Sequence, residues 1–343
     1  MKKKLLSLLL ILGLITGAAG CGNSNNTRST GTNAGENQTS EEGSLENVRL
    51  GVFTGGPDQY LAVVGKEQGI FEKHGINLEI TEFAAGINTV DAIVTGQSDV
   101  GMIADFAGIN RIGNTQENFN IRIIGRYTTA KNYSLYVNPD EVTKLEDLSG
   151  KGLATMPGTI LDYYNALTYE KANIKEEDRK LVNVDSGQTV LSVFESGDAV
   201  AFWTAGTTAK KLEESGMKEF LTMEDLGVSV DAYYVSSDSY IKEHADTLEK
   251  FLSAIKETEE WILANQETAA EIIEGKTGVP QEQVLQNLEA NELLLDFKQD
   301  SIDHLNEIKE WALGAGLFEK DYEIKDFVDT TVLENVFPDD VDY

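Results

Sequence analysis

Short β-rich segments alternate with helical segments from Val48 onwards, and this alternation limits the possible folds more than any other feature of the sequence. Such an order is typical of βαβ units, which build a largely parallel sheet. Pro57 follows a glycine turn and Gly69 ends the next periodic run, so a helix is expected between them. We predict an α/β fold with strands at residues 48–53, 77–83, 99–103 and 121–127, and a second helix at 87–95.

The same order of signals occurs twice in the chain. Residues 94–100 (VTGQSDV) and 194–200 (FESGDAV) each close a helical segment, contain a glycine and an aspartate, and lead into an apolar run. Two α/β lobes of similar construction would produce this repetition. Because glycine and aspartate are common after any helix, a chance similarity is the alternative.

Two β-rich segments, residues 132–138 and 232–236, connect otherwise complete units. We interpret them as two crossings between lobes. The predicted lobes are then 48–133 together with 235–343, and 134–234. Beyond the second crossing, apolar side chains recur at the spacing of a helix that faces a core: Leu248, Phe251, Leu252, Ile255 and Ile262.

Residues 1–20 have the features of an export signal. A lysine-rich start precedes an apolar run that is too short to span a bilayer. Small residues then lead to Cys21, in a pattern that resembles a lipobox, where the cysteine is lipidated after cleavage. An ordinary secretory peptide with a cysteine there by chance is the alternative. Residues 21–47 are mainly Asn, Ser, Thr, Gly and Glu, so we predict a disordered tether.

Composition excludes several classes of function. Cys21 is the single cysteine, which excludes a disulfide within the chain and a multi-cysteine metal site. The formal net charge of −30 disfavours nucleic-acid binding, because the protein repels phosphates. The three histidines lack the spacing of a zinc site. We therefore expect no metal, no other cofactor and no nucleic-acid partner, and we expect a monomer.

Five short motifs follow one another along the chain: residues 68–80 (QGIFEKHGINLEI), 95–101 (TGQSDVG), 145–151 (LEDLSGK), 154–159 (ATMPGT) and 244–246 (HAD). In type and order they resemble segments of nitrate/sulfonate/taurine-type solute-binding proteins of ABC transporters, and of the related proteins that bind thiamine-pyrimidine precursors. Ala245 stands where those proteins often have proline.

The resemblance implies a two-lobed, type II-like periplasmic-binding-protein fold whose two crossing strands form the hinge. It implies that the lobes close over a small organic ligand, either sulfonate- or taurine-like or N-heterocyclic, and that an ABC transporter permease receives the ligand. Together with Cys21, it implies a lipid anchor on the extracytoplasmic face of the cell membrane.

In open α/β sheets, ligands bind beyond the carboxyl ends of the strands, where helix N-termini present free N–H groups. The candidate ligand-binding residues are those that the pattern places at such ends, together with nearby aromatic residues that suit a planar or apolar ligand. They are Thr54, Gly55, Gly56, Gln59, Gly86, Ile87, Asn88, Asp105, Phe106, Tyr127, Gly158, Thr159, Tyr163, Gln188, Trp203 and Tyr233. For any single glycine, simple turn chemistry explains the residue equally well.

The sign of the ligand's charge stays open at this stage. Arg126 is a candidate partner for an anionic head group, or it forms a surface ion pair in this acidic chain. Carboxylates in the same loops would instead favour an amine: Asp58, Asp105, Asp162 and Asp231.

Two other classes of function remain as alternatives. Fungal thiamine-pyrimidine synthases are enzymes with this fold, but they carry a cysteine-rich motif that this chain lacks, so we expect no catalytic residues. A surface sensor or adhesin would present the same fold to another protein.

Overall fold

The computed structural model describes residues 45–343, which lie within one compact unit, residues 43–343. The predicted signal peptide, Cys21 and residues 21–44 of the predicted tether are outside this range. Within it, no helix is both long and apolar enough to cross a membrane.

Strands and helices alternate through most of the described chain, as the sequence predicts. In chain order they are β1 (Glu46–Phe53), α1 (Pro57–Glu67), α2 (Ile70–Lys73), β2 (Ile76–Phe83), α3 (Gly86–Val94), β3 (Val100–Ala104), α4 (Asp105–Thr115), β4 (Ile121–Ala130), β5 (Ser134–Val137), β6 (Gly152–Thr155), α5 (Ile160–Lys171), β7 (Lys180–Asn183), α6 (Gly187–Glu195), β8 (Ala201–Thr204), α7 (Gly206–Glu214), β9 (Lys218–Thr222), α8 (Met223–Leu226), β10 (Val230–Ser237), α9 (Asp238–Glu243), α10 (Ala245–Ala264), α11 (Gln266–Thr277), α12 (Gln281–Ala290), β11 (Asn291–Lys298), α13 (Gln299–Gly314), α14 (Thr331–Val336) and β12 (Val341–Asp342).

Two separate sheets organise these elements. The larger sheet has the order β12-β11-β4-β10-β3-β1-β2, and the smaller one has the order β7-β6-β8-β5-β9. In the larger sheet β1 is parallel to β2 and β3, and β10 is antiparallel to both β3 and β4. In the smaller sheet β6 is parallel to β7 and β8, and β5 is antiparallel to β8 and β9. The predicted α/β class is confirmed.

The chain passes between the two sheets twice, first from Ala130 of β4 to Ser134 of β5. The return runs from Thr222 of β9 through α8 to Val230 of β10. The segment predicted as the second crossing, residues 232–236, lies inside β10, which pairs with β3 and β4. The predicted boundary at 234/235 therefore cuts through a strand, and the change of sheet occurs between Thr222 and Val230.

The strand directions bring the carboxyl ends of both sheets to the same place. Because β10 is antiparallel to β3 and β4, strands β1, β3 and β4 all end on the side where the chain leaves for the smaller sheet. In the smaller sheet Ser134 at the start of β5 pairs with Thr204 and Thr222, so β8 and β9 end beside the two connections. Loops from both sheets thus face one interval between them.

The repeated sequence pattern corresponds to a repeated turn. Gly96 and Gly197 follow α3 and α6 in the left-handed region, with φ of 70° and 75°. In each turn, the amide directly after the glycine donates back into the helix: Gln97 N to Ala92 O at 2.7 Å, and Asp198 N to Val193 O at 3.0 Å. Each turn then leads into a buried strand.

The long helix α10 packs its apolar side against the larger sheet. The five residues predicted to face the core are all 0% exposed. Phe251 stacks on Phe71 with ring centroids 6.1 Å apart and meets Tyr234 of β10 edge-on at 5.6 Å. Burial of each such side chain stabilises the fold by about 1.5–3 kcal/mol.

Candidate functional site

The loop after β1 is held in place by two buried side chains of α1. Phe53 N donates to Asp58 Oδ2 at 2.6 Å, and Gly55 N donates to Gln59 Oε1 at 2.7 Å. Asp58 and Gln59 are both 0% exposed. Gly55 has φ of 82°, a conformation that favours glycine. The predicted site residue Gln59 therefore positions the loop from behind and presents no surface of its own.

The polar atoms behind this loop are incompletely satisfied. Asp58 Oδ1, Gln59 Nε2 and the hydroxyls of Tyr127 and Tyr234 are buried without a hydrogen-bond partner among the described residues. The two tyrosine rings lie 4.4 Å apart. Burial raises the pKa of Asp58 to about 7, although Phe53 N and neighbouring amides favour the ionised form. Tyr127, a predicted ligand residue, is 1% exposed and belongs to this interior cluster.

The first turn of α3 carries three predicted site residues that remain accessible. Asn88 is exposed, and Gly86 and Ile87 are half-buried. A Cβ at Gly86 would lie 2.4 Å from the sulfur of Met102, so a larger residue would displace the Met102 side chain where α3 approaches β3. Thr54, at the end of β1, is also exposed, and its hydroxyl donates to Phe83 O at 3.1 Å.

Arg126 is neither free for a ligand nor part of a surface ion pair. Its side chain is 8% exposed and contacts three carboxylates, with Asp296 at 2.8 Å, Asp231 at 3.1 Å and Asp300 at 3.4 Å. Burial opposes its charge, but Asp296 and the other carboxylates outweigh burial and raise the pKa of Arg126. The carboxylates already neutralise the guanidinium, which corrects its predicted role as an anion receptor.

Asp105 connects the start of α4 to β10 and α13. It is 1% exposed, accepts from Asp231 N at 2.8 Å, and lies 2.8 Å from His304 Nε2. Burial lowers the pKa of His304, but Asp105 more than compensates and the pKa is raised overall. Asp105 is thus a structural link. No local pattern indicates that His304, 199 residues away along the chain, pairs with it.

Two predicted aromatic residues of this region pack against α13. Phe106 is 4% exposed and lies 6.1 Å from the ring of Trp311. Tyr163 of α5 is 6% exposed and lies 5.2 Å from the same ring. Trp311 therefore joins α4 of the larger sheet to α5 of the smaller one.

In the smaller sheet, the loop after β6 is also held by side chains. Gly158 N donates to Asp162 Oδ2 at 2.7 Å, and Thr155 donates to Asp162 Oδ1 at 2.7 Å. The Thr159 side chain caps α5 by accepting from Leu161 N. Gly158 is exposed and Thr159 half-buried. Asp162 is therefore engaged within its own loop instead of being free for an amine.

The remaining predicted aromatics are interior. Trp203 is 0% exposed, donates from Nε1 to Thr168 Oγ1 at 2.9 Å, and packs on Tyr164 at 5.7 Å. Tyr233 is 0% exposed and donates to Asp231 at 3.3 Å. Each lies on a strand that is buried on both faces. A position near the carboxyl end of a strand therefore did not make these two side chains accessible to a ligand. Gln188 lies in the first turn of α6, and its side chain is outside the described part of the structure.

A groove between the two sheets was not predicted from the sequence. It has a volume of about 560 Å³ and lies between α7 of the smaller sheet and α12 of the larger one. That size is within the range of small-molecule sites. Lys210, Glu213 and Gln286 are among its lining residues, and Tyr136 donates to Glu213 at 3.2 Å. Signals in the sequence could not have paired α7 with α12, which are far apart along the chain.

Residues 57–269 match the family described as "NMT1/THI5 like", and this match spans more than half of the chain. The chain belongs to the NMT1/THI5-like family. A Brucella abortus (strain 2308) protein described as a binding protein is 24% identical to this NMT1/THI5-like chain over 241 residues, which cover 66% of the chain and 70% of the relative.

Solved structures share the fold of this NMT1/THI5-like protein. The periplasmic aliphatic sulphonate binding protein SsuA of Escherichia coli superposes with a TM-score of 0.70 at 16% identity, covering 83% of this chain and 92% of SsuA. The periplasmic sulfonate-binding protein SsuA of Methylobacillus flagellatus KT gives 0.70 at 16% identity, covering 86% and 95%. The expected two-lobed periplasmic-binding-protein fold is confirmed.

An enzyme with the same fold is also similar. The desulfurization enzyme DszB, as a cysteine-to-serine mutant in complex with biphenyl-2-sulfinic acid, superposes with a TM-score of 0.64 at 14% identity, covering 85% of this chain and 99% of DszB. The fold therefore occurs in both binding proteins and an enzyme.

Proposed function

We propose that this protein is an extracytoplasmic solute-binding lipoprotein of an ABC importer. It captures a small organic ligand, sulfonate- or taurine-like or N-heterocyclic, between its two sheets and delivers the ligand to a membrane permease. Cys21 carries the lipid that anchors it to the cell membrane, and the protein acts as a monomer without catalysis. The two lobes are the two sheets with their helices.

The observation that carries this proposal is the meeting of strand carboxyl ends from both sheets beside two connections. Thr54 and Asn88 lie exposed at the larger sheet, and Gly158 lies exposed at the smaller one. A ligand between these loops contacts both sheets, so its binding favours a closed arrangement over an open one. The two short connections are the parts of the chain that must bend.

Similar proteins support binding as the function. The Brucella relative is described as a binding protein, and both SsuA structures are of sulfonate-binding proteins. Export to the extracytoplasmic side agrees with the signal-like residues 1–20 and with the periplasmic location named for the SsuA proteins.

An enzyme is the second candidate, favoured by the similarity to DszB. The DszB structure carries a substituted cysteine, whereas this chain has its single cysteine at position 21, before the described fold. The buried carboxylates and the histidine beside the hinge are engaged in ion pairs within the protein. Binding without turnover therefore accounts for more of the observations.

A thermal-shift screen of the chain from residue 22 onwards tests the proposal. Nitrate, sulfonates, pyrimidines, flavins and amines are the compounds to compare. A true ligand at 100 times its Kd stabilises the folded state by about 2.7 kcal/mol. We expect a shift without any chemical change of the compound, measured by chromatography. Turnover would support the enzyme instead, and neither shift nor turnover would support a sensor or adhesin.

A further inference from the structure

The helices beside the interval between the two sheets lie on opposite faces of the smaller sheet. There, α5 connects β6 to β7, whereas α7 connects β8 to β9 in the other direction along the sheet. β6 is parallel to β7, and β8 and β9 are parallel to each other because both are antiparallel to β5. Since parallel connections are right-handed, two that run in opposite directions cover opposite faces. α5 and α7 therefore lie on different faces.

The larger sheet is covered in the same way. α1 connects β1 to β2, and α4 connects β3 to β4 in the opposite direction, so these two helices also lie on different faces. Asn287 of α12 donates to the hydroxyl of Tyr60 on α1 at 2.8 Å, whereas α13 packs on α4. The two sheets thus approach each other at two places, α5 with α13 on one side and α7 with α12 on the other.

The lobes are in contact at the first of these places and separate at the second. Trp311 of α13 lies 5.2 Å from the ring of Tyr163 on α5. On the other side, the groove of about 560 Å³ lies between α7 and α12. A rotation of one lobe about the Trp311 contact would therefore narrow the groove, as in a hinge closure.

One side of α7 forms the first wall of this groove. Four residues line it at spacings of three and four, which places them on one face of the helix: Gly206, Ala209, Lys210 and Glu213. The first two are small, so a second helix can come close. Glu213 accepts from the Tyr136 hydroxyl within its own lobe. Lys210 is exposed and has no ion-pair partner within the described residues.

The facing wall is the first part of α12. Glu282 and Gln286 are exposed there and line the groove. Their side chains are 3.5 Å apart, Gln286 Nε2 to Glu282 Oε1, and this amide contact leaves the carboxylate charge uncompensated. Among the described residues, no cation lies within ion-pair distance of Glu282. A lysine and a glutamate without ionic partners thus lie on opposite walls of one groove.

We propose that Lys210 and Glu282 pair across the groove when the lobes close, and that this pair sets the balance between the open and closed arrangements. The inference rests on the proposed solute-binding function, which requires closure. An exposed ion pair changes an equilibrium by only about two- to five-fold, so it favours closure without preventing release of the ligand. Because the pair lies in solvent, added salt should weaken it.

Spin labels test the pair without any ligand. The chain from residue 22 onwards lacks Cys21, the single cysteine, so introduced cysteines are the only sites of labelling. Glu214→Cys on α7 and Glu289→Cys on α12 place one label on each helix, at exposed positions outside the lining of the groove. Pulsed electron paramagnetic resonance then measures the distances between the labels and the population of each distance.

Charge variants are compared in this labelled chain. Lys210→Glu and Glu282→Lys each place like charges on the two walls, and the double variant exchanges the charges and allows the pair to form again. Lys211→Glu is the matched control, because it makes the same change of charge at the next exposed residue of α7, which does not line the groove. Circular dichroism checks that each variant is folded.

We expect the ligand-free protein at low ionic strength to show a longer and a shorter distance. Each single variant at the groove should lower the ratio of the shorter to the longer population by about three- to ten-fold. The exchanged double variant should recover the ratio to within about two-fold of the wild type's, and Lys211→Glu should leave it unchanged. About 0.5 M sodium chloride should lower the ratio in the wild type and in the double variant.

Three results would overturn the pair: no shorter distance in the wild type, equal effects of Lys210→Glu and Lys211→Glu, or no recovery in the double variant. None of these results depends on a solute. The thermal-shift screen therefore tests solute binding separately, and a failure of the pair is distinguishable from a failure of the proposed function.

Discussion

At the scale of single residues, Trp203 shows how a correct strand can carry a misplaced side chain. Trp203 lies near the carboxyl end of β8, as predicted. Its side chain is nevertheless fully buried and hydrogen-bonded to Thr168. We therefore expect Trp203→Ala to lower the free energy of unfolding by about 3–5 kcal/mol, through lost burial and a cavity. Urea unfolding measures this. If Trp203→Ala strongly weakens ligand binding and leaves the unfolding free energy unchanged, Trp203 contacts the ligand and is not a core residue.

Asp58 makes the stability of the protein depend on pH. Its pKa is raised from 3.8 to about 7, so between about pH 4 and pH 7 the folded protein holds a proton that the unfolded chain has released. This group therefore stabilises the fold at low pH, and the stabilisation is progressively lost as the pH rises from about 4 through about 7. Asp58→Asn keeps an acceptor for Phe53 N but has no charge to bury.

The comparison of Asp58→Asn with wild type isolates this effect from that of His304. We expect the variant to gain unfolding free energy relative to wild type when the pH is raised from 5 to 8. Urea unfolding at both pH values provides the measurement. An identical difference between the two proteins at pH 5 and pH 8 would show that Asp58 does not titrate in this range.

The polar partners of the site could not be predicted from sequence, and distance along the chain explains why. Arg126 pairs with Asp231 and Asp296, which are 105 and 170 residues away. Which carboxylate reaches which cation depends on how strands pair, and local pattern contains no information on that pairing. Local pattern does place Thr54 and Asn88 at the surface. Thr54 follows the end of a strand, and Asn88 follows a glycine turn.

At the scale of elements, the turns after α3 and α6 should contribute equally to stability. Gly96 and Gly197 have positive φ and open space around their Cα atoms, so an alanine would be strained without a clash. We expect Gly96→Ala and Gly197→Ala each to cost about 1–2 kcal/mol. Gly275→Ala is the matched control, because it lies within α11 with open space around it and should stabilise by about 0.5–1 kcal/mol.

Thermal unfolding of the three glycine variants distinguishes the outcomes. Costs that differ by more than about 1 kcal/mol between Gly96→Ala and Gly197→Ala would show that the two turns are not equivalent, despite their common geometry.

Element positions were largely predictable because alternation and periodicity are local. The strand predicted at 77–83 is observed as Ile76–Phe83, and the helix predicted at 87–95 as Gly86–Val94. β10 was the exception. It follows the return from the smaller sheet and pairs within the larger one, and its sequence alone does not distinguish such a strand from a connection between lobes. The sheet order, with β10 between β3 and β4, arises from contacts between distant segments.

At the scale of the whole molecule, anchoring and folding should be separable. Cys21 precedes the compact unit of residues 43–343, so Cys21→Ala should release the protein from the membrane while its melting temperature stays within about 1 °C of the wild type's. Membrane fractionation and thermal unfolding measure the two properties. Unchanged retention in the membrane fraction would contradict the lipid anchor.

Closure over a ligand is the central claim at this scale, and it requires contact with both sheets. Asn88 at α3 and Thr159 at α5 lie on opposite sides of the interval. A ligand that contacts only one side binds the open and closed arrangements equally well, so it cannot shift the equilibrium towards the closed one. Asn88→Leu and Thr159→Leu should each weaken both affinity and compaction, and Thr159→Leu should also lose the cap of α5.

Small-angle X-ray scattering of the wild-type chain, with and without the compound that gives the largest thermal shift, tests this claim most directly. We predict that the radius of gyration falls as the compound saturates the protein, and that the Asn88→Leu/Thr159→Leu double variant shows little change at any concentration. An unchanged radius for the wild type at saturation, or full compaction in the double variant, would contradict the account.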